Sequence, residues 1–181
     1  MKHLSIMAFL ALSCVICYPQ TTITVNPSVT YQTMFGMGGQ GTGNSAYVNC
    51  LVDNMGLSAY RYYMDGSWAG SITEADINAS TLNFVETTQD IAFFQSLKNK
   101  GVTNIVSTSW SPPAFLKTNN SLINGGSIIS GKETVVGKFY AAFVKDFNAR
   151  TGQTLYAFNI QNEPLFPEPY PSGIMNASQF G

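Results

Sequence analysis

The chain alternates short β-branched or aromatic runs with helical repeats, and this alternation restricts its fold more than any other feature. Thr22-Ile23-Thr24-Val25 reads as a strand ended by Asn26-Pro27-Ser28, and residues 31–37 read as a second, closed by Gly38-Gly39. Residues 46–55 form a weakly patterned helix and 58–65 a strand. Residues 88–100 form a helix with Ile91, Phe94 and Leu97 on one side and Gly101 as its stop. A strand over 104–110 cannot continue through Ser111-Pro112-Pro113, because proline brings no ladder N–H. The helix over 132–150 has the clearest period, with Val136, Phe139, Tyr140, Phe143, Val144 and Phe147 at i, i+3, i+4, i+7, i+8 and i+11. Gly152 ends it, 154–162 is a strand, and Asn176 is placed as the N-cap of a further helix. After the first short strand this is strand–helix four times over, the pattern of a parallel sheet with right-handed crossovers.

Strand alternation then sorts side chains by face. Leu155, Ala157, Asn159, Gln161 and Glu163 share one face, which turns polar toward the strand's C-terminal end. Tyr156, Phe158 and Ile160 share the other, beneath the helices. Arg61 and Asp65 likewise lie on one face near a strand's C-terminal end, where α/β folds and barrels build their sites. Glu163, held at a strand tip between Asn162 and Pro164, suits proton donation to a leaving oxygen, with Asn162 donating to a substrate hydroxyl. By itself the tripeptide also fits a carboxylate capping a turn. Trp110, at another strand end, fits a sugar-stacking wall or a core plug, and Arg61 fits an ion-pair partner or a guide for a neighbouring carboxylate. Gly36, Gly38 and Gly39 mark a turn or a close backbone approach, and their spacing is not that of a phosphate loop.

Composition narrows the chemistry. Charged residues are only 10% of the chain and the net charge is −1, so no basic surface points to nucleic acid. The single histidine, His3, lies in an N-terminal segment expected to be removed. That excludes a Ser–His–Asp triad, a Cys–His pair and a His-ligated metal from the remainder, and leaves carboxylates, Lys, Tyr or Cys for acid–base work. Residues 1–20 read as a secretory signal peptide: Lys2 and His3 precede an apolar run over 4–17, shorter than the ~20 residues a membrane helix needs. No other stretch is long and apolar enough to span a membrane, so a secreted protein is expected. Removal of Cys14 and Cys17 leaves Cys50 alone, with no disulfide framework. Asn78, Asn119 and Asn176 begin N-glycosylation sequons.

Together these motifs resemble glycoside hydrolase family 30. The resemblance rests on Trp110-Ser111-Pro112-Pro113-Ala114-Phe115-Leu116-Lys117-Thr118-Asn119 and, at the expected distance, Tyr156-Ala157-Phe158-Asn159-Ile160-Gln161-Asn162-Glu163-Pro164. Phe35-Gly36-Met37-Gly38-Gly39 is similar to that family's opening strand end, and Gly56-Leu57-Ser58-Ala59-Tyr60-Arg61 to its second barrel strand. The resemblance implies an α/β fold, a (β/α)8 TIM barrel with an attached β-sandwich. Of this the chain holds about the first four β/α units over 30–181, and residues 21–29 form one sandwich strand. It also implies a retaining O-glycosyl hydrolase, whose mechanism needs no metal or organic cofactor. The Glu matching Glu163 is its general acid/base, the Asn matching Asn162 holds the sugar 2-hydroxyl, and positions matching Arg61, Trp110 and Asp65 line the same site.

The resemblance leaves the nucleophile, a Glu ending the seventh barrel strand, unmatched by Glu74, Glu86, Glu133 or Glu168. Four units cannot close an eight-stranded barrel, so residues 21–181 alone are expected to be unstable or oligomeric, and inactive. Asn119 to Gly126 and Asp65 resemble xylanase-type members. Pro164-Leu165-Phe166 and Tyr170-Pro171-Ser172 are more similar to β-1,6-glucanase and glucosylceramidase-type branches. The expected partner is a β-linked polysaccharide, xylan or glucan. A glycolipid substrate, a non-catalytic carbohydrate-binding remnant and an inactive fragment are the alternatives.

Overall fold

Four strands run parallel in the order in which the chain makes them: β1 (Gly38–Gln40), β2 (Ala59–Met64), β3 (Asn104–Ser109) and β4 (Ala157–Asn159). A doubly wound sheet reverses its order at a switch point. Here every crossover advances the same way, as in a β/α barrel. The computed structural model describes residues 22–41, 43–82, 84 and 88–179, so the expected signal peptide, 1–20, lies outside them. Among the described residues no helix is long and apolar enough to cross a membrane.

The chain divides into two compact units, Met1–Thr33 and Met34–Gly181. In the first, the Asn26 side chain accepts from the Ser28 amide (3.0 Å) and its carbonyl from Val29 (3.2 Å), which makes the expected turn. The strand expected over 22–25 does not form among the described residues. A strand's hydrogen bonds are made by its neighbour, and among the described residues this segment pairs with none.

In the second unit, β1 lies beyond the expected 31–37. The reason is Gly38, which is inside the strand rather than closing it. A Cβ there would lie 1.7 Å from the Ala59 carbonyl oxygen, so the glycine marks a close backbone approach. Gly38→Ala is expected to pry β1 from β2 and cost about 2–3 kcal/mol in a urea titration. An unchanged midpoint would show that the first strand tolerates separation.

The crossovers are helical. A 3₁₀ turn, Ser45–Tyr47, leads into a π-helical turn, Cys50–Asn54, before β2. The β2-to-β3 connection holds α1 (Glu74–Ala79) and α2 (Thr88–Asn99), and α3 (Glu133–Thr151) links β3 to β4. α1, unforeseen in the sequence, starts with a Thr73–Asp76 capping box. The core lies between the sheet's outer face and the helices. Tyr60, Tyr62, Met64 and Ile105 from the sheet meet Phe93, Phe94 and Leu97 of α2 and Phe139, Phe143 and Phe147 of α3. Tyr62 packs edge-on to Phe94 with ring centroids 4.4 Å apart. Both expected stripes are buried except at one position each. Phe93 is buried where Ile91 was expected, and Val144 is only partly covered.

The strand expected over 154–162 narrows to β4, and its alternation fails before it starts. Leu155 enters the core, while Tyr156 is 63% exposed with its ring 4.4 Å from Phe35. Residues 155 and 156 precede the paired residues of β4 and are tied to β3 by the single Tyr156 N–H to Ile105 O bond (2.8 Å), short of a full ladder that would impose the two-residue period. Phe158 keeps the expected face, against Tyr140 and Phe143.

Candidate active site

Backbone bonds beyond the strand ends fix the site. The Trp110 amide donates to the Met64 carbonyl (2.8 Å) and the Asn162 amide to Ser109 (2.7 Å), which extends both parallel pairings toward the C-terminal edge. Arg61, Tyr63, Val106 and Thr108 occupy paired positions on the sheet's inner face. Arg61 is the hub. Its Nε donates to Thr108 Oγ1 (2.9 Å), one terminal nitrogen to Gln40 Oε1 (2.7 Å) and the other to Asn162 Oδ1 (2.7 Å). Its guanidinium carbon stands 4.4 Å from the Trp110 ring centroid, a cation–π distance. One planar fork thus joins β1, β2, β3 and the end of β4 with its donors spread over three nitrogens. Burial lowers the Arg61 pKa, and the Glu163 charge opposes that shift.

The fork also sets the Asn162 amide. With Oδ1 taken by Arg61, Nδ2 faces outward and donates to Glu163 Oε2 at 3.1 Å. Glu163 is exposed, and its backbone is left-handed at φ +42°. For a side chain of this size that is an uncommon conformation of the kind that clusters at functional sites. The Tyr170 hydroxyl reaches the same Oε2 at 3.4 Å. Desolvation, then the Glu168 and Glu163 charges, raise the Tyr170 pKa, so it remains a donor.

Four expected site residues, Arg61, Trp110, Asn162 and Glu163, therefore stand in one connected group. Trp110 is buried beside Arg61 and Tyr63, so it supports the group more than it presents an open wall. Asp65 stands behind it. Its oxygens accept from the Tyr63 hydroxyl, from the Ser67 amide (2.7 Å) and from Ser67 Oγ (2.5 Å), and the Tyr63 ring lies 4.7 Å from Trp110. Burial and Asp65 both raise the Tyr63 pKa, so that phenol stays protonated. Gln161, on the expected face but given no role there, is buried and ties the Trp110 carbonyl (2.8 Å) to the Asn162 carbonyl (2.8 Å).

Sequence reading missed Gln40, Thr108 and Tyr170 as members of the group. Thr108 was recoverable from its parity with Trp110 on β3. Gln40 was hidden by the misplaced first strand. Among the described residues no three His, Cys, Asp or Glu side chains are grouped so as to hold a metal ion.

A singly wound parallel sheet of four strands has the topology of the first half of a TIM barrel, and the Asn–Glu pair lies past its fourth strand, at the end where such barrels build their sites. No family model matches the sequence, and no curated protein matches it significantly. Solved structures do match. The catalytic domain of a family 30 xylanase C from Talaromyces cellulolyticus superposes with TM-score 0.66 at 26% identity, over 86% of this chain and 43% of that one. A family 30 subfamily 8 xylanase from Clostridium acetobutylicum gives TM-score 0.67 at 24% identity, over 86% and 39%. An endo-β1,6-glucanase gives 0.59 at 20%, over 89% and 42%. The chain thus has a fold like the N-terminal half of family 30 glycoside hydrolases, and it spans about two-fifths of the length of these structures.

Proposed function

We propose that the chain is the acid/base half of a secreted retaining glycosidase acting on a β-linked polysaccharide, xylan or a β-glucan. The observation that carries this reading is the Arg61–Asn162–Glu163 relay at the C-terminal edge of the sheet. In the mechanism, Glu163 protonates the glycosidic oxygen as the bond to the anomeric carbon breaks. A second carboxylate attacks that carbon from the opposite face, ~5–5.5 Å from the first, and gives a glycosyl-enzyme. Glu163, now ionised, takes a proton from the incoming water, which displaces the carboxylate. Two inversions leave the product's anomeric configuration unchanged. We assign the nucleophile to a Glu ending the seventh strand of the complete barrel, outside these 181 residues. Residues 21–29 are assigned to an accessory β-sandwich completed by later residues, and residues 1–20 to a signal peptide.

Asn162 keeps Glu163 aimed at the leaving oxygen and has a second N–H for a sugar hydroxyl. Arg61 fixes that amide and places positive charge near the acid/base pair. The test is the anomer first released when the complete enzyme is given xylan or β-1,6-glucan, followed by proton NMR before mutarotation. The β-anomer is expected. First release of the α-anomer would exclude double displacement, and no release from either polymer would exclude this substrate class.

A further inference from the structure

The most buried ammonium among the described residues is not used by that mechanism. Lys117 is 1% exposed, directly after the 3₁₀ turn Ala114–Leu116. Its Nζ donates to Ser111 Oγ (2.9 Å), to the Leu122 carbonyl (3.1 Å) and to the Ser172 carbonyl (2.5 Å). Three N–H groups thus meet three neutral acceptors from three segments: the end of β3, the loop after β3 and the loop after β4. No carboxylate among the described residues pairs with it. An ammonium taken out of water without a counter-ion is a costly choice where only packing is needed.

What Lys117 joins bears on Glu163. The two loops also exchange backbone bonds: Asn124 N–H to Glu168 O (2.7 Å), Ser172 N–H to Leu122 O (3.0 Å) and Ile174 N–H to Gly126 O (3.0 Å). Met175 N–H closes the second loop on Pro164 O (2.9 Å), directly after Glu163. Tyr170, two residues before Ser172, reaches Glu163 itself. Gly126, at φ +85°, lets the first loop pass Asn119, whose Oδ1 would lie 2.2 Å from an added Cβ.

We infer that Lys117 is a positioning residue of this site: through Ser172 it clamps the loop after β4 onto the loop after β3 and so holds Tyr170 against Glu163. The inference rests on the acid/base reading for its catalytic meaning, but the clamp can be tested without any sugar. In the full chain carrying Lys117→Met, hydrogen exchange at the Asn124, Ser172 and Ile174 amides is expected to speed at least about tenfold, while amides of β2, β3 and α3 keep their rates. The titration midpoint of the Tyr170 phenol should fall toward the ordinary tyrosine value in the same variant as Tyr170 leaves Glu163, which a purely structural role would not produce. Unchanged protection at the three loop amides, or an equal loss at every amide, would overturn the clamp. Should Lys117→Met not fold, Ser111→Ala removes one of the three acceptors. A smaller increase confined to the same amides is then expected, and no increase overturns the proposal. If the clamp is found and the complete enzyme cleaves neither polymer, the glycosidase reading falls and the clamp stands. If hydrolysis proceeds and the loop amides ignore Lys117, the reverse holds.

Discussion

Replacing Glu163 by Gln in the complete enzyme is expected to lower polysaccharide turnover by about 10²–10⁴-fold while oligosaccharide binding stays nearly unchanged. Gln keeps the volume and an acceptor for the Asn162 Nδ2–H, so the relay from Arg61 survives. What it lacks is a transferable proton. The loss should therefore depend on the leaving group. A sugar hydroxyl departs as a strongly basic alkoxide and needs protonation, whereas a dinitrophenolate departs without it. With a dinitrophenyl glycoside, the first step in Glu163→Gln should run close to the wild-type rate, seen as a rapid burst of phenolate followed by slow turnover. Near-normal hydrolysis of polysaccharide by this variant would remove Glu163 from the acid/base role. An equal loss on both substrates would point to damage in binding rather than in proton transfer.

Stability contributed at Lys117 is expected to rise between about pH 8 and pH 10.5. Burial pulls its pKa from the ordinary 10.5 down to about 8. Below that window the folded and unfolded chains both hold the proton, and above it neither does. Within it the unfolded chain binds more protons, so the free energy of unfolding climbs with pH. At about 1.4 kcal/mol per pKa unit the full gain reaches about 3 kcal/mol. Urea midpoints of wild type and Lys117→Met, compared from pH 7 to pH 11, isolate this effect, because the tyrosines titrate in both. The difference should move in favour of wild type as pH rises. A difference that ignores pH would mean that the three acceptors hold the ammonium charged against the cost of burying it.

The sequence spoke most clearly where one face is fully buried. β2, β3, α2 and α3 fall within one or two residues of their expected bounds, because apolar stripes at fixed periods specify both type and extent. Elements set by other physics were harder to place. β1 depends on the backbone of Gly38 reaching Ala59, a contact that carries no side-chain pattern. α1 is six residues long, and its legible signal was the Thr73–Asp76 capping box rather than a stripe.

The site divides in the same way. Arg61 and Glu163 can be placed near strand C-terminal ends by alternation, but Asn162 falls on the other parity and is joined to Arg61, 101 positions away, only by the family resemblance. Lys117 could not be read so: its partners are two carbonyls and a hydroxyl supplied by loop geometry, which alternation does not encode.

The orientation of one amide decides which molecules may lie beside Glu163. Because the Asn162 oxygen accepts from Arg61, its Nδ2 turns outward and presents N–H groups beside Glu163. A hydroxyl, a ring oxygen or a carboxylate can accept what is offered. An exchange of Asn162 for Asp would remove the outward N–H and set a second negative charge against Glu163.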